Sequence, residues 1–251
     1  MIFKKCNHEN NENSNLCTKY GTALGNKIET AKIMNLNIKQ VQKIAIPIFV
    51  IVLGFFMSSC NFMGNSYSNV KIGNQVWMTE NLDLEYFRNG DKIPEVKSDA
   101  EWARAGRNEE PAWCYYENSS ANGEKYGKLY NWYAVIDARG RAPKGWHIPT
   151  KSEFQKLKAH VNNTAAKLID ESQSMEKDSP TNETGFSALF AGYRDFGIGN
   201  FTGEGNFTAF WCSTEYSGEY ADYMFLNYHN SVVGLFNIYK NDGFSVRCLK
   251  D

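Results

Sequence analysis

Residues 223–239, YMFLNYHNSVVGLFNIY, decide the fold class, because side chains at 223, 225 and 227 alternate with those at 224, 226 and 228. This period of two is typical of a β-strand, whose successive side chains point to opposite faces. A turn at 229–231 leads to a second strand at 232–239, and FSVRC at 244–248 predicts a third after a turn at 241–243. The sequence therefore predicts an antiparallel meander at the C-terminus.

Two helices are predicted ahead of this meander, because two capping boxes stand there. Ser98 with Glu101 forms the first and Thr150 with Glu153 the second, with the hydroxyl accepting from an N3 amide and the carboxylate bonding back. The second helix is expected to end near His160. A hairpin at residues 70–77 precedes both helices, since Gly73-Asn74 suits a two-residue turn. These elements together predict an α+β fold.

One domain is expected from residue 70 to residue 251, after a linker at 61–69 that is rich in Asn, Ser and Gly. This length suffices for a full hydrophobic core, and all six tryptophans of the chain lie within it. The formal net charge of the chain is -1, so there is no basic field that would attract nucleic acid. We therefore expect no nucleic-acid partner.

The run IAIPIFVIVLGFFM at 44–57 is apolar throughout. As a helix it would rise about 21 Å, short of a hydrocarbon core of about 30 Å, so its length is closer to the apolar part of a cleavable signal. Ser58, Ser59 and Cys60 follow and resemble a bacterial lipobox, which predicts lipid attachment at Cys60. A plain signal anchor is the alternative. Lys39 and Lys43 precede the run, so both interpretations predict a cell-envelope protein with its C-terminal domain outside the cytoplasm.

The segment before the apolar run has two interpretations. Cys6 and Cys17 resemble half of a bacterial zinc ribbon, but Phe3 and Tyr20 stand where two further thiolates are needed. We expect no metal there, and residues 1–33 are interpreted as a degenerate ribbon or a disordered cytosolic tail. Residues 34–60 form the signal or anchor, and Met34 is an alternative start of translation.

Six ordered blocks between residues 70 and 251 resemble the Fibrobacter succinogenes major paralogous domain. They are WMTENL at 77–82, YGKLYNWYA at 126–134, APKGWHIPT at 142–150, GFSAL at 185–189, GYR at 192–194 and SVRCL at 245–249. The resemblance implies a C-type lectin-like fold and display on a secreted or lipid-anchored surface protein. It implies no reaction, since no activity is established for the family.

Differences from the family pattern affect which cysteines are expected to pair. Cys212 stands where members often have serine, and is expected to be an unpaired, semi-buried thiol. The resemblance then leaves Cys114 and Cys248 as a disulfide pair, closing a loop of more than a hundred residues; such a loop contributes about 4 to 5 kcal/mol in a chain-entropy model. A pairing of Cys212 with Cys248 is the alternative.

No catalytic residue and no cofactor are predicted. His147 with Glu153 is a candidate acid–base pair, although a histidine before Pro149 is more often a strut in a tight turn. Arg194 and Asp195 offer either a ligand contact or a local ion pair.

We expect a surface module that binds a glycan or a protein partner without catalysis. Its binding surface is expected in the loops of residues 172–206 and in exposed Tyr and Trp side chains. The alternatives are an extracytoplasmic enzyme acting on polymers and a purely structural envelope protein.

Overall fold

The computed structural model describes residues 67–196 and 199–251. The predicted tail, apolar run and Cys60 lie outside these residues. Within them, four α-helices lie at Asp99–Arg107 (α1), Ser120–Tyr126 (α2), Trp132–Ile136 (α3) and Lys151–His160 (α4). The strands are Asn69–Ile72 (β1), Gln75–Met78 (β2), Trp113–Cys114 (β3), Leu129–Tyr130 (β4), Trp146–His147 (β5), Ala191–Arg194 (β6), Phe201–Glu204 (β7), Phe207–Glu215 (β8), Tyr220–Asn227 (β9), Asn230–Tyr239 (β10) and Leu249–Lys250 (β11). The α+β class is confirmed.

Three sheets organise these strands. The largest has the order β10-β9-β8-β6-β7, a second has the order β1-β2-β11-β5, and β3 pairs with β4. Strands β8, β9 and β10 follow one another antiparallel, so the meander is formed by these three. The predicted hairpin is also confirmed, because Val70 lies opposite Trp77 and Gly73 has a φ of 60°.

The third predicted strand of the meander was wrong. Residues 244–248 make isolated bridges, Phe244 to Tyr130 and Ser245 to Phe210, and the strand after them, β11, joins the second sheet beside β2. The physical reason is burial on all sides, since every residue from 242 to 249 is buried. This segment runs through the core between the sheets.

Both predicted helix starts are confirmed. Thr150 and Glu153 form a complete capping box on α4. Ser98 caps α1 by accepting from the Glu101 amide, but the Glu101 carboxylate accepts from the Ser98 hydroxyl, so the predicted bond back to the Ser98 amide is not formed. Helices α2 and α3 were missed, so the prediction of two helices was too low. Each has seven residues or fewer, too short to show a helical apolar period in the sequence.

The core consists of apolar clusters on both faces of the largest sheet. One contains Trp77, Phe154, Phe186 and Phe210, and another contains Trp113, Trp132, Trp211 and Phe244. All six tryptophans are buried. The expectation that exposed Trp side chains form a binding surface was therefore wrong, because these rings form the core.

Within the described ranges, the structure contains no helix that is both long enough and apolar enough to cross a bilayer.

Candidate functional site

Five cationic side chains are buried in the domain, and each lies over an aromatic ring. The pairs are Lys128 with Trp113 and Tyr115, Arg141 with Tyr130, Arg194 with Trp102 and Phe201, Lys240 with Trp132, and Arg247 with Phe186 and Phe210. A cation over the face of a ring is attracted by the ring quadrupole, more strongly when water is excluded. These contacts explain how a core so rich in aromatic residues holds five charges.

Carboxylates neutralise three of these cations. Lys128 binds Asp83, Arg194 binds Asp99, and Lys240 binds Glu215.

The sequence left a ligand contact or a local ion pair open for Arg194. Its guanidinium also donates to the carbonyl oxygens of Val96 and Lys97, so Arg194 ties β6 to the start of α1.

Arg247 is held by neutral acceptors. Its Nε and Nη2 donate to Asn81 Oδ1 at 3.1 and 2.6 Å, and its Nη1 donates to the carbonyl oxygen of Phe186. Among the described residues no carboxylate lies within ion-pair distance of the guanidinium. Burial lowers the pKa of Arg247 to about 9, and the Glu80 carboxylate opposes this shift. Arg247 therefore remains a desolvated cation at neutral pH.

Asn81 is positioned by contacts on both sides of its amide. Its Nδ2 donates to the carbonyl oxygen of Tyr126 at 2.9 Å and to Ser245 Oγ at 3.3 Å. Gly127 has a φ of 72°, and a Cβ at this position would lie 3.2 Å from Asn81 Cβ. Because glycine has no side chain, the backbone at residue 127 can pass close to Asn81. The amide oxygen is thereby fixed toward the guanidinium.

Two depressions share the segment that follows β2, since both are lined by Glu80, Asn81 and Asp83. The smaller, of about 200 Å³, is also lined by Glu124, Lys125, Ser187 and Arg247. We call it the Arg247 depression. The other, of about 300 Å³, includes Tyr67, Met78 and Leu84. Sequence reasoning placed Asn81 and Arg247 in family blocks but assigned them no role.

A third, more open depression of about 580 Å³ lies among polar loop residues. It is lined by Asn163, Thr164, Lys167, Asp178, Thr181 and Glu183. Part of the loop region expected to bind a ligand, residues 172–206, therefore does contribute to a concave surface.

His147 lies between two carboxylates. Its Nδ1 is 2.8 Å from Asp251 Oδ1 and its Nε2 is 3.0 Å from Glu153 Oε1. An ionised carboxylate only accepts hydrogen bonds, so the protonated imidazole, which donates from both ring nitrogens, can hold both carboxylates at once. Burial would lower the pKa of His147, but the hydrogen bonds to Asp251 and Glu153 outweigh it and raise the pKa. In its protonated form, which these contacts favour, the half-exposed ring has no free lone pair with which to act as a base.

The three cysteines of the domain are free and buried. Cys114 and Cys248 belong to different apolar clusters, so the structure does not support the expected disulfide between them. Cys212 is fully buried rather than semi-buried. Burial raises the pKa of Cys114 and of Cys248 to about 12 and raises the pKa of Cys212 further. These side chains are neutral thiols at physiological pH.

Asp242 is a buried carboxyl with a strongly shifted pKa. Its Oδ1 accepts from the Phe196 amide at 2.9 Å. Burial raises the pKa to about 7, the Phe196 hydrogen bond lowers it, and the Asp195 charge adds to the rise. A shifted carboxyl is often functional, but Asp242 lines none of the three depressions. Its position favours a structural role in the turn before residue 243.

The described residues contain no group of three or more His, Cys, Asp and Glu side chains that could hold a metal ion. The family model described as Fibrobacter succinogenes major domain matches residues 70–250. No curated protein and no solved structure matches the chain.

Proposed function

Because the chain belongs to the Fibrobacter succinogenes major domain family, we propose that it is a membrane-tethered, extracytoplasmic surface module that binds a glycan without catalysis. The tether is the lipid on Cys60 or the apolar run at 44–57. The domain at 70–251 has, in this proposal, a C-type lectin-like arrangement of its α+β elements.

The Arg247 depression is the observation that carries the proposal. Ligand sites are concave and contain a few polar groups that are held in place before the ligand arrives. Asn81 meets this requirement, since its amide is fixed by hydrogen bonds to the Tyr126 carbonyl and to the buried Arg247. Lys125, Glu80 and Glu124 add exposed donors and acceptors around it. Sugar hydroxyls can bond to both kinds of group.

Two observations support a role without catalysis. Both ring nitrogens of His147 lie within hydrogen-bond distance of carboxylates, and the protonated ring that these contacts favour lacks the lone pair that a general base needs. The buried thiols of Cys114, Cys212 and Cys248 have raised pKa values, so they are poor nucleophiles. An enzyme acting on polymers would need other residues as its general base and as its nucleophile.

A protein partner is a second candidate, favoured by a row of aromatic rings on the largest sheet. Phe236 is 52% exposed. Its ring centroid lies 6.4 Å from that of Phe225, and the Phe225 centroid lies 5.3 Å from that of Phe207. The planes of these pairs differ by 68° and 45°, so the row is not a flat platform for stacking sugar rings. Such an uneven apolar row suits the side chains of a protein partner better.

The experiment that tests the glycan proposal is a glycan array probed with the purified full chain. We expect binding that Glu80→Trp abolishes, because Glu80 is exposed and lines the Arg247 depression. Glu171→Trp is the matched control, since Glu171 is exposed and lines none of the three depressions. Absence of any glycan signal, or equal loss in both variants, would contradict the proposal.

A further inference from the structure

We propose that the protein forms a symmetric dimer through β10, the edge strand of its largest sheet. In this dimer β10 pairs antiparallel with β10 of a second copy, and Asn237 of each copy lies at the two-fold axis. The two largest sheets thereby become one continuous sheet. The inference is independent of the glycan proposal, because residues 235–239 line none of the three depressions.

Strand β10 lacks the features that usually protect an edge strand from pairing with another chain, such as charged residues, proline or a short length. It has ten residues, none of which is charged and none of which is proline. Its register with β9 shifts between Asn230 and Gly234 and is regular after that. The edge strands β1 and β7, by contrast, have four residues each and contain Lys71 and Glu204.

The pairing of β10 with β9 shows which of its backbone groups face outward. The Lys240 amide donates to the Glu219 carbonyl oxygen at 3.0 Å, and hydrogen-bonded pairs recur at every second residue of an antiparallel ladder. Even-numbered residues of β10 therefore bond to β9, and odd-numbered residues point away from it. Within the described ranges, no backbone group outside this ladder bonds to the backbone of Leu235 or Asn237. Their amides and carbonyls are available to a partner strand.

Two contacts set the limits of this open edge. Before it, the Asn163 side chain accepts from the Val233 amide at 3.1 Å and so occupies the preceding outward-facing residue. After it, the Asp242 amide donates to the Tyr239 carbonyl oxygen at 3.1 Å, in the turn that ends the strand. The open edge is therefore residues 235–239, and a symmetric pairing that uses all of it has its axis at the central residue.

An axis at this central residue, Asn237, also places side chains of similar character opposite each other. Asn237 then lies opposite Asn237 of the second copy, so amide faces amide. Phe236 lies opposite Ile238 of the second copy. Leu235 lies opposite Tyr239 on the other face of the sheet. Because no pair joins two charges or leaves an apolar side chain opposite an amide, the strand is complementary to a second copy of itself.

The dimer would cover apolar side chains that are exposed in a single copy. The described residues include six large apolar side chains that are exposed, and three of these, Val232, Phe236 and Tyr239, lie on β10. Phe236 and Tyr239 belong to the open edge. Because only five residues of each copy pair, the interface is small, and we expect a dimer that dissociates on dilution.

The first test is sedimentation velocity of the purified full chain in detergent over a series of protein concentrations. We expect a reversible equilibrium between monomer and dimer. Asn237→Lys should raise the dissociation constant at least about tenfold, because it places two ammonium groups opposite each other at the axis. Asn237 is exposed, so the domain should still fold. Thr202→Lys is the matched control and should change nothing, since Thr202 is exposed on β7, the opposite edge of the same sheet.

The second test is Asn237→Cys, which examines the position of the axis. The Cα atoms of a hydrogen-bonded antiparallel pair are about 5.5 Å apart, which lies within the span of about 4.4–6.8 Å that a disulfide bridges. Mild oxidation should therefore join two copies through residue 237, and mass spectrometry of non-reduced peptides should identify the bond. Thr202→Cys should form no such bond between copies.

Three outcomes would overturn the inference. A chain that is monomeric at every concentration would show that β10 does not pair with a second copy and would leave its edge to a strand of a different protein. A dimer that Asn237→Lys weakens no more than Thr202→Lys does would have its contact elsewhere. Equal cross-linking through residues 237 and 202 would show random collision between copies.

Discussion

Asn81 and Arg247 are 166 positions apart in the sequence and are joined by two hydrogen bonds to one amide oxygen. The same amide donates to Tyr126 and Ser245. One side chain therefore connects the segment after β2, the end of α2 and the buried segment before β11. It also fixes the wall of the Arg247 depression.

Asn81→Ala should destabilise the domain by roughly 2–4 kcal/mol, because it leaves buried donors of a charged group without an acceptor. Urea unfolding followed by tryptophan fluorescence measures this change. Asn122→Ala is the control, since Asn122 makes a single hydrogen bond, to the Tyr116 carbonyl, and should cost about 1 kcal/mol or less. Equal losses in the two variants would show that Asn81 has no special role.

The parts of the fold that the sequence predicted are those determined by neighbouring residues. The Thr150–Glu153 capping box and the hairpin at Gly73 need only a few adjacent side chains. Residues 244–248 could not be placed in this way. Their partners, Tyr130 and Phe210, come from distant parts of the chain, and a short apolar segment has the same appearance in a meander and in a core.

The candidate site was predicted less well for a related reason. In the sequence, nothing distinguishes Asn81 and Arg247 from other polar residues. Only the folded structure shows that Arg247 is buried and that its side-chain hydrogen bonds go to neutral acceptors. His147 was recognised as a candidate together with Glu153, but the second acid, Asp251, comes from the far end of the chain. Its presence adds a second carboxylate, which favours the protonated form of the ring.

The His147 cluster should make stability depend on pH. The pKa of His147 is raised above its ordinary value of 6.5, so its contribution is fully present below about pH 6.5 and is lost as pH rises through the folded pKa. The pKa of Glu153 is lowered, by hydrogen bonds from Thr150 and His147 that outweigh burial. Its contribution is present above about pH 4.5 and is lost as pH falls through the folded pKa.

We therefore expect His147→Gln to destabilise the domain by about 0.5–1 kcal/mol near pH 5.5, a value reduced by partial exposure. The difference from wild type should shrink near pH 9, as measured by urea unfolding at both values. Asp251→Asn removes one carboxylate partner and should weaken the pH dependence without abolishing it. A difference that is the same at both pH values would contradict the ionic role of His147.

Buried thiols should resist modification in the native domain. Cys114, Cys212 and Cys248 have raised pKa values and are fully buried, so a thiol reagent at pH 8 should label them slowly. Labelling should be complete within the same time in denaturant without reductant. Mass spectrometry of peptides identifies each site. A non-reduced peptide joining Cys114 to Cys248 would restore the expected disulfide and contradict the free thiols.

Lipid attachment at Cys60 makes a prediction about the mature chain. If Ser58-Ser59-Cys60 acts as a lipobox, intact-mass analysis of the membrane fraction should find a species that begins at a diacylated Cys60. Cys60→Ala should prevent both cleavage and acylation, because the cysteine sulfur is the acceptor of the lipid, while Cys17→Ala should change neither. Two acyl chains suffice for stable anchoring, whereas a single chain is marginal. A full-length species starting at Met1 in the same fraction would favour the uncleaved anchor and contradict the lipoprotein interpretation.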